Sequence, residues 1–180
     1  MKKFILTIYV FMFSSMAAVA NAELKIAIVD EIIGASSAYK GITEQVEKKA
    51  TAFKNNAAKM QEDLQKKYKE IESQKSVLSS EAHTKKTKQF ELEAEKAQES
   101  TYMERMSLDK AFADATKILE EKITEIIKAK AVSMNLNIVF TKNNMVYNDE
   151  NLEITDAIIE ELNKSMSSIA VKFDSSATKK

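Results

Sequence analysis

The chain offers few side chains that could carry out covalent chemistry. His83 is the only histidine, and there is no cysteine. A nucleophilic triad needs a base such as histidine, held in place by a third group. His83 lies in KSVLSSEAHTKK, residues 75–86, flanked by Ala82 and Thr84 with Lys85 and Lys86 beyond. Nothing there marks it as a catalytic base, so it reads as a solvated histidine on a helix face. Zinc sites built on cysteine or histidine are excluded by the same count. Carboxylates cluster at Glu91, Glu93 and Glu95 and again at Asp149 and Glu150. At this density they read as solvated faces, and no acidic calcium loop with its glycine is present. Two isolated glycines, Gly34 and Gly41, cannot build a phosphate-binding loop. The residue inventory therefore points to a non-enzyme without cofactor or metal.

The lysines are more informative. Between residues 66 and 88 there are seven lysines against Glu70, Glu72 and Glu81, a net charge of +4. Lys66, Lys67, Lys85, Lys86 and Lys88 are the candidate contacts for anionic lipid headgroups or an acidic client. A lysine-rich, merely solvated coiled-coil end is the alternative.

The elements that must position these lysines begin after an export signal. Lys2 and Lys3 precede the apolar run FILTIYVFMF and the small-residue site Ala20-Asn21-Ala22. That order predicts a signal peptide over residues 1–22, cleaved after Ala22, because the apolar run is too short to span a bilayer. Losing Lys2 and Lys3 leaves 25 basic residues against 27 acidic ones, a mature net charge of −2. No nucleic-acid partner is expected. Proline is absent and glycine occurs twice, which favours long helices.

LKIAIVD, residues 24–30, is β-branched and apolar on both faces, and it predicts a strand covered on both sides. One or two helical turns follow, with Gly41 expected just past their end. From Ile42 to Leu78 nothing breaks a helix. Val46, Ala50, Phe53, Ala57, Met60 and Leu64 recur in steps of four and three, and the series continues through Lys67, Ile71, Gln74 and Leu78. That is a thin coiled-coil seam. A second unbroken stretch runs from Ser80 to about Met134. If the chain folds back near residue 79, Tyr68 faces Phe90, Leu64 faces Ala94 and Val46 faces Phe112. The apolar partners mostly meet, so the two stretches predict an antiparallel hairpin with its tip near residues 77–81. Ser79 or Ser80 is expected to cap the second helix.

The surplus of the second helix carries a wider apolar face, Ile118, Leu119, Ile123, Ile126 and Ile127, suited to a globular core. LNIVFTK at 136–142 reads as a strand, Asn143-Asn144 as a tight turn, and residues 145–148 as a returning strand. Thr155 is expected to cap a last helix whose inner face carries Ile158, Ile159 and Leu162.

The fold expected is mainly α with a small β body. A hairpin over residues 42–117 projects from a discontinuous body, residues 23–41 plus 118–168, and residues 169–180 form a flexible tail. A body this small without disulfide or metal is marginal alone. The sequence therefore predicts an oligomer whose bodies share one core, with Ile26, Ile28, Ile138, Phe140, Val146 and Ile158 as its candidate residues. The weak seam admits two readings: simply a thin coiled coil, or arms that alanine, Met60, Met103 and Met106 keep bendable, with an adaptable surface. Separate arms on one oligomeric body would enclose a space suited to holding unfolded polypeptide. A coiled-coil envelope spacer and a lipid binder acting through the basic tip are the competing readings.

Across the whole mature chain the order of elements resembles the Skp/OmpH family of periplasmic chaperones. The resemblance rests on KIAIVD, on the lysine- and glutamate-rich hairpin with LSSEA at its turn, on NIVFTKNNMVYN and on EITDAIIEELN. It implies a jellyfish-shaped homotrimer with helical tentacles around a central cavity. It also implies ATP-independent holding of unfolded outer-membrane protein precursors in the periplasm. Lipopolysaccharide contact at Lys85, Lys86 and Lys88 is a further implication.

Overall fold

The computed structural model describes residues 24–174. The expected signal peptide lies outside them. In chain order the elements are β1 (Ile26–Val29), α1 (Ser37–Ser73), α2 (Ser80–Ser133), β2 (Ile138–Thr141) and α3 (Thr155–Ser165). Short 3-10 turns occupy Lys142–Asn144 and Glu150–Leu152.

Helix α1 begins earlier than the glycine at position 41 suggested. Ser36 is its N-cap, accepting from the Tyr39 N–H at 3.2 Å while its own hydroxyl donates to the Ile33 carbonyl at 2.8 Å. Both bonds satisfy a fully buried hydroxyl, so this serine fixes the start of the helix. Gly41 is therefore a helix-interior residue, not a terminator. Its position is tolerated because one interior glycine costs only about 1 kcal/mol, far less than a long packed helix returns.

At the other end α1 stops at Ser73, five residues before Leu78. Residues 74–78 form the turn, with the Val77 and Leu78 N–H groups both donating to the Gln74 carbonyl at 3.1 and 3.0 Å. Ser79 then caps α2, accepting from the Ala82 N–H at 3.3 Å, and Glu81 sits in the first turn near the positive end of the helix dipole. Helix α2 closes at Asn135, whose φ of 53° is left-handed. The Leu136 N–H reaches back to the Ala131 carbonyl and the Asn135 N–H to that of Val132, a Schellman closure with asparagine in the glycine place.

The sheet differs from the expected three strands. β1 and β2 pair in parallel, with Ile26 opposite Ile138 and Ile28 opposite Phe140. Parallel neighbours need a long crossover, and the whole α1–α2 hairpin is that crossover. Residues 145–148 form no strand, because the 3-10 turn at Lys142–Asn144 carries the chain away from β2. On the opposite side of β1 the chain returns at a single bridge between Ile28 and Glu153, with the Ile154 N–H donating to the Ile28 carbonyl at 2.9 Å. β1 is thus central, and Ala27, Ile28 and Val29 are all buried, as its two apolar faces require.

The core lies where β1, α3 and the bases of both long helices meet. Ile42, Leu119, Ile158 and Leu162 are wholly shielded from solvent, joined by Ala111, Ala115, Ile123 and Ile126. It reaches further up the hairpin than the boundary at residue 117 implied, since Ala111 and Ala115 belong to it. Thr155 does not cap α3. Its hydroxyl accepts from the Asp30 N–H at 2.8 Å and donates to Glu153 at 3.2 Å, tying the end of β1 to the start of α3. The tail expected to be flexible from residue 169 is packed as far as residue 174. Ile169 and Val171 belong to the core, and Gln45 binds the backbone of both. The apolar side chains alternating along Ile169, Val171 and Phe173 supply the burial that holds it.

Candidate functional site: the helical hairpin and the face of the body

Between Ile42 and Leu108 no residue of the hairpin is fully buried. Of the α1 seam, Val46, Ala50, Phe53, Ala57, Met60 and Leu64 are half-buried and Lys67 is exposed. The facing stripe on α2 is smaller still: Phe90, Ala94, Ala97 and Thr101 lie between the arms, half-buried. Small residues leave open grooves on both sides of the helix pair. One groove is lined by Met60, Leu64, Ala97 and Tyr102, another by Asp63, Lys67, Glu93 and Ser100.

The pairing near the tip follows the turn. Tyr68 packs on Phe90 with ring centroids 5.8 Å apart, as a fold-back at residue 79 requires. At the base the Phe112 ring meets that of Tyr39 edge-on at 6.2 Å, seven residues before Val46, the partner that a fold-back at residue 79 predicts. The arms therefore do not keep one register from tip to base. At the base both helices also pack into the body, and that packing decides which residues meet.

Polar contacts across the hairpin are few, and their charged groups remain solvent-accessible. Lys67 pairs with Glu93, Lys49 lies 3.8 Å from Glu104, and Lys86 donates to the Gln74 side chain at 2.6 Å. Exposed pairs of this kind each contribute at most about 1 kcal/mol. Lys66 is held by Glu62 at 2.7 Å within α1. That hydrogen bond lowers the Glu62 carboxyl below its ordinary range and raises Lys66.

The five candidate lysines thus divide. Lys66, Lys67 and Lys86 have polar partners within the hairpin. Lys85 and Lys88 are exposed on the first turns of α2 and have no carboxylate within ion-pair distance among the described residues. His83 departs from the solvated side chain expected. It is half-buried beside the turn, and its Nε2 is shut from solvent without a hydrogen-bond partner among the described residues.

Apolar side chains dot the outer surface of the arms. Tyr68, Val77, Leu92, Tyr102, Met103 and Met106 are each about half exposed or more. Sequence reasoning selected the methionines but passed over Leu92 and Tyr102, which stand outside the heptad stripe, and that offset was the available signal.

The six residues proposed as an oligomerisation core also divide. Ile28 and Ile158 are sealed inside the protomer, and Ile26 is half-buried. Ile138 and Phe140 on β2 are 38% and 43% exposed, and Val146 is fully exposed beside a largely exposed Tyr147. Ile138 and Phe140 lie along β2, which among the described residues pairs only with β1, and Val146 and Tyr147 follow in the loop beyond the 3-10 turn.

Where β1, β2 and the return strand end, Lys142 sits between two carboxylates, 3.3 Å from Asp30 and 3.1 Å from Glu153. Asp30 also accepts from the Glu31 N–H, and these bonds hold its carboxyl below the ordinary range. Lys142 is correspondingly raised, chiefly by its bond to Glu153 and then by Asp30. The cluster fastens three chain segments and binds no metal by itself, since a lysine fills its centre. Among the described residues no group of three or more histidine, cysteine or carboxylate side chains could hold a metal ion. No described helix is long and apolar enough to cross a membrane.

A small parallel body whose strand crossover is a long, thinly packed helical hairpin defines a class of projecting-arm, coiled-coil proteins. The chain belongs to the family described as Outer membrane protein (OmpH-like), whose pattern matches residues 25–162. A protein of Aquifex aeolicus (strain VF5), itself uncharacterised, is 27% identical over 124 residues, covering 66% of this chain and 76% of that one. The crystal structure of a Caulobacter crescentus CB15 protein, provisionally described as an OmpH-like outer membrane chaperone, superposes with a TM-score of 0.77. It is 12% identical, and the match covers 84% of this chain and 91% of that one. At that identity the likeness establishes the shared fold.

Proposed function

We propose that this protein is an ATP-independent holdase that binds unfolded outer-membrane protein precursors in the periplasm and keeps them from aggregating. The observation that carries this reading is the hairpin itself. It exposes tyrosine, leucine and methionine side chains along arms that contain no fully buried residue from position 43 to 107. Such arms can bend and present scattered apolar contacts, which suits a chain without fixed structure better than one rigid ligand. Membership in the OmpH-like family supports a chaperone role and a periplasmic location. The exposed apolar side chains of Ile138, Phe140, Val146 and Tyr147 support self-association through the body, with arms placed around a shared cavity. Three copies are the number the family resemblance implies.

The test is dilution of a urea-unfolded porin into buffer with and without the mature protein. Light scattering is expected to stay low when the protein is in excess. Aggregation at the unassisted rate would refute the reading. Sedimentation at micromolar concentration tests the assembly, and a lone protomer there would refute the shared cavity.

A second reading has its own observation: among the described residues Lys85 and Lys88 lack carboxylate partners at the far end of the arm. Contact with anionic lipid or lipopolysaccharide headgroups follows from that charge. Changing Lys85, Lys86 and Lys88 to Glu would then abolish binding to anionic vesicles, and unchanged binding would remove the idea.

A further inference from the structure

The family pattern ends at residue 162, yet the chain continues in order to residue 174 and crosses the base of the hairpin. This segment is extended, and its side chains alternate. Ile169 and Val171 are buried and Phe173 half-buried, while Ala170, Lys172 and Asp174 are exposed. Among the described residues no strand pairs with it. Its backbone is instead recognised by one side chain of α1. The Gln45 amide donates to the Ile169 carbonyl at 2.8 Å and accepts from the Val171 N–H at 3.1 Å. Those are the two bonds that a neighbouring strand residue would make on either side of Ala170. The second N–H of the same amide donates to the Gly41 carbonyl at 2.8 Å, which fixes its orientation. The segment then passes to α2, where the Ser107 hydroxyl donates to the Asp174 carbonyl at 3.1 Å and Lys110 lies 3.6 Å from the Asp174 carboxylate.

We infer that the cleft between α1 and α2 at the hairpin base is a binding site for an extended peptide with apolar residues at alternate positions, and that residues 169–174 occupy it as a tethered competitor. The inference rests on the holdase reading and names the part of the client that this site takes. Three features support it. Recognition through a backbone carbonyl and N–H is indifferent to side-chain identity. The buried positions accept apolar side chains two residues apart, the pattern of a membrane-spanning β-strand. The strap follows α3 after only Met166 to Ser168, so its effective concentration at the cleft is on the order of millimolar. A client strand would displace it only when the client is held nearby by the arms, which couples capture by the arms to docking at the base.

The probe is a fluorescein-labelled peptide with the sequence of residues 167–174, SSIAVKFD, added to the full mature chain. The tethered strap is expected to exclude micromolar peptide from the unaltered protein. In the Ile169→Asp, Val171→Asp double variant the strap is unseated, and peptide affinity should rise at least about tenfold, the gain from removing a millimolar competitor at a site that holds the free strand at ~0.1 mM or tighter. Adding Gln45→Ala to that variant should abolish the gain. A folded double variant that takes up no more peptide than the unaltered protein would overturn the inference.

The unaltered chain provides an independent readout if the double variant fails to fold. The Val171 N–H should exchange faster with solvent when unfolded porin is bound, while that of Ile158 keeps its protection. Bound porin with Val171 still protected would also overturn the inference. Failure of the holdase reading looks different, since porin would then aggregate regardless while the peptide still entered the unseated variant.

Discussion

The hairpin and the body should differ sharply in what a single deleted side chain costs. Leu119 on α2 has no exposed surface and lies among Ile42, Ile123 and Ile158 in the core. Leu119→Ala removes three buried carbons, worth about 2.4 kcal/mol at ~0.8 per carbon, and leaves a closed cavity. With the cavity cost the total is about 3–5 kcal/mol, a large part of the stability of a small domain. Leu64→Ala in the arm removes the same three carbons, but Leu64 is only half-buried beside an open groove. Water fills the space, so the cavity cost vanishes and the transfer cost shrinks to about 1–2 kcal/mol. The two losses should also fall in different places. Native-state hydrogen exchange on Leu64→Ala should show lost protection in residues 46–104, with Ile28 and Ile158 unchanged. Leu119→Ala should lower protection everywhere, because the body anchors both arms. Equal loss at Ile28 and Leu64 amides in the Leu64→Ala protein would mean that arm and body unfold as one unit. The argument for separately bendable arms would then fail.

Gly41→Ala should stabilise the protein by about 0.5–1 kcal/mol, since the residue is inside α1 and a Cβ there meets nothing within 4 Å; an unchanged or lower melting temperature would contradict its placement. Thr155→Val keeps the shape but leaves the Asp30 N–H without its acceptor, and a loss of about 1–3 kcal/mol is expected in urea unfolding. The Asp30–Lys142–Glu153 cluster should make stability fall at both extremes of pH. Asp30 is lowered on folding, so its contribution is complete above the ordinary carboxylate pKa near ~4 and is lost as pH falls below it. Lys142 is raised, so its contribution is complete below the ordinary lysine pKa near ~10.4 and is lost as pH climbs past it. Asp30→Asn should weaken the acid dependence, and salt should weaken both arms of the profile, because every partner is solvent-accessible.

Much of the architecture was legible because it rests on local rules. The absence of proline and the heptad spacing from Val46 to Leu64 demanded a long helix with one apolar stripe, and the matching stripe after Ser79 demanded a partner. A stripe too thin to be buried in a globule and too apolar to stand alone has few solutions, and a hairpin is the nearest. The strand IAIV and the wide face at Leu119, Ile123 and Ile126 were equally plain. The errors arose where a distant partner outweighed a local preference. Gly41 looked like a stop, but Ser36 had already started the helix and packing at Ile42 carried it through. Thr155 looked like a cap, but its hydroxyl was taken by Asp30, 125 residues away in sequence.

By itself, then, the sequence determined the long helices, their turn, the apolar stripe between them and the poverty of catalytic groups. These follow from periodicity and residue type, which act over one or two helical turns. The tertiary structure alone decided that β2 pairs parallel to β1 and that residues 169–174 are bound at the hairpin base. Each of these depends on contacts between segments more than one hundred residues apart, or on a single glutamine amide that satisfies a backbone it meets only after folding. No local pattern encodes such a meeting. It is settled by which arrangement buries the most apolar surface while leaving the fewest polar groups unpaired.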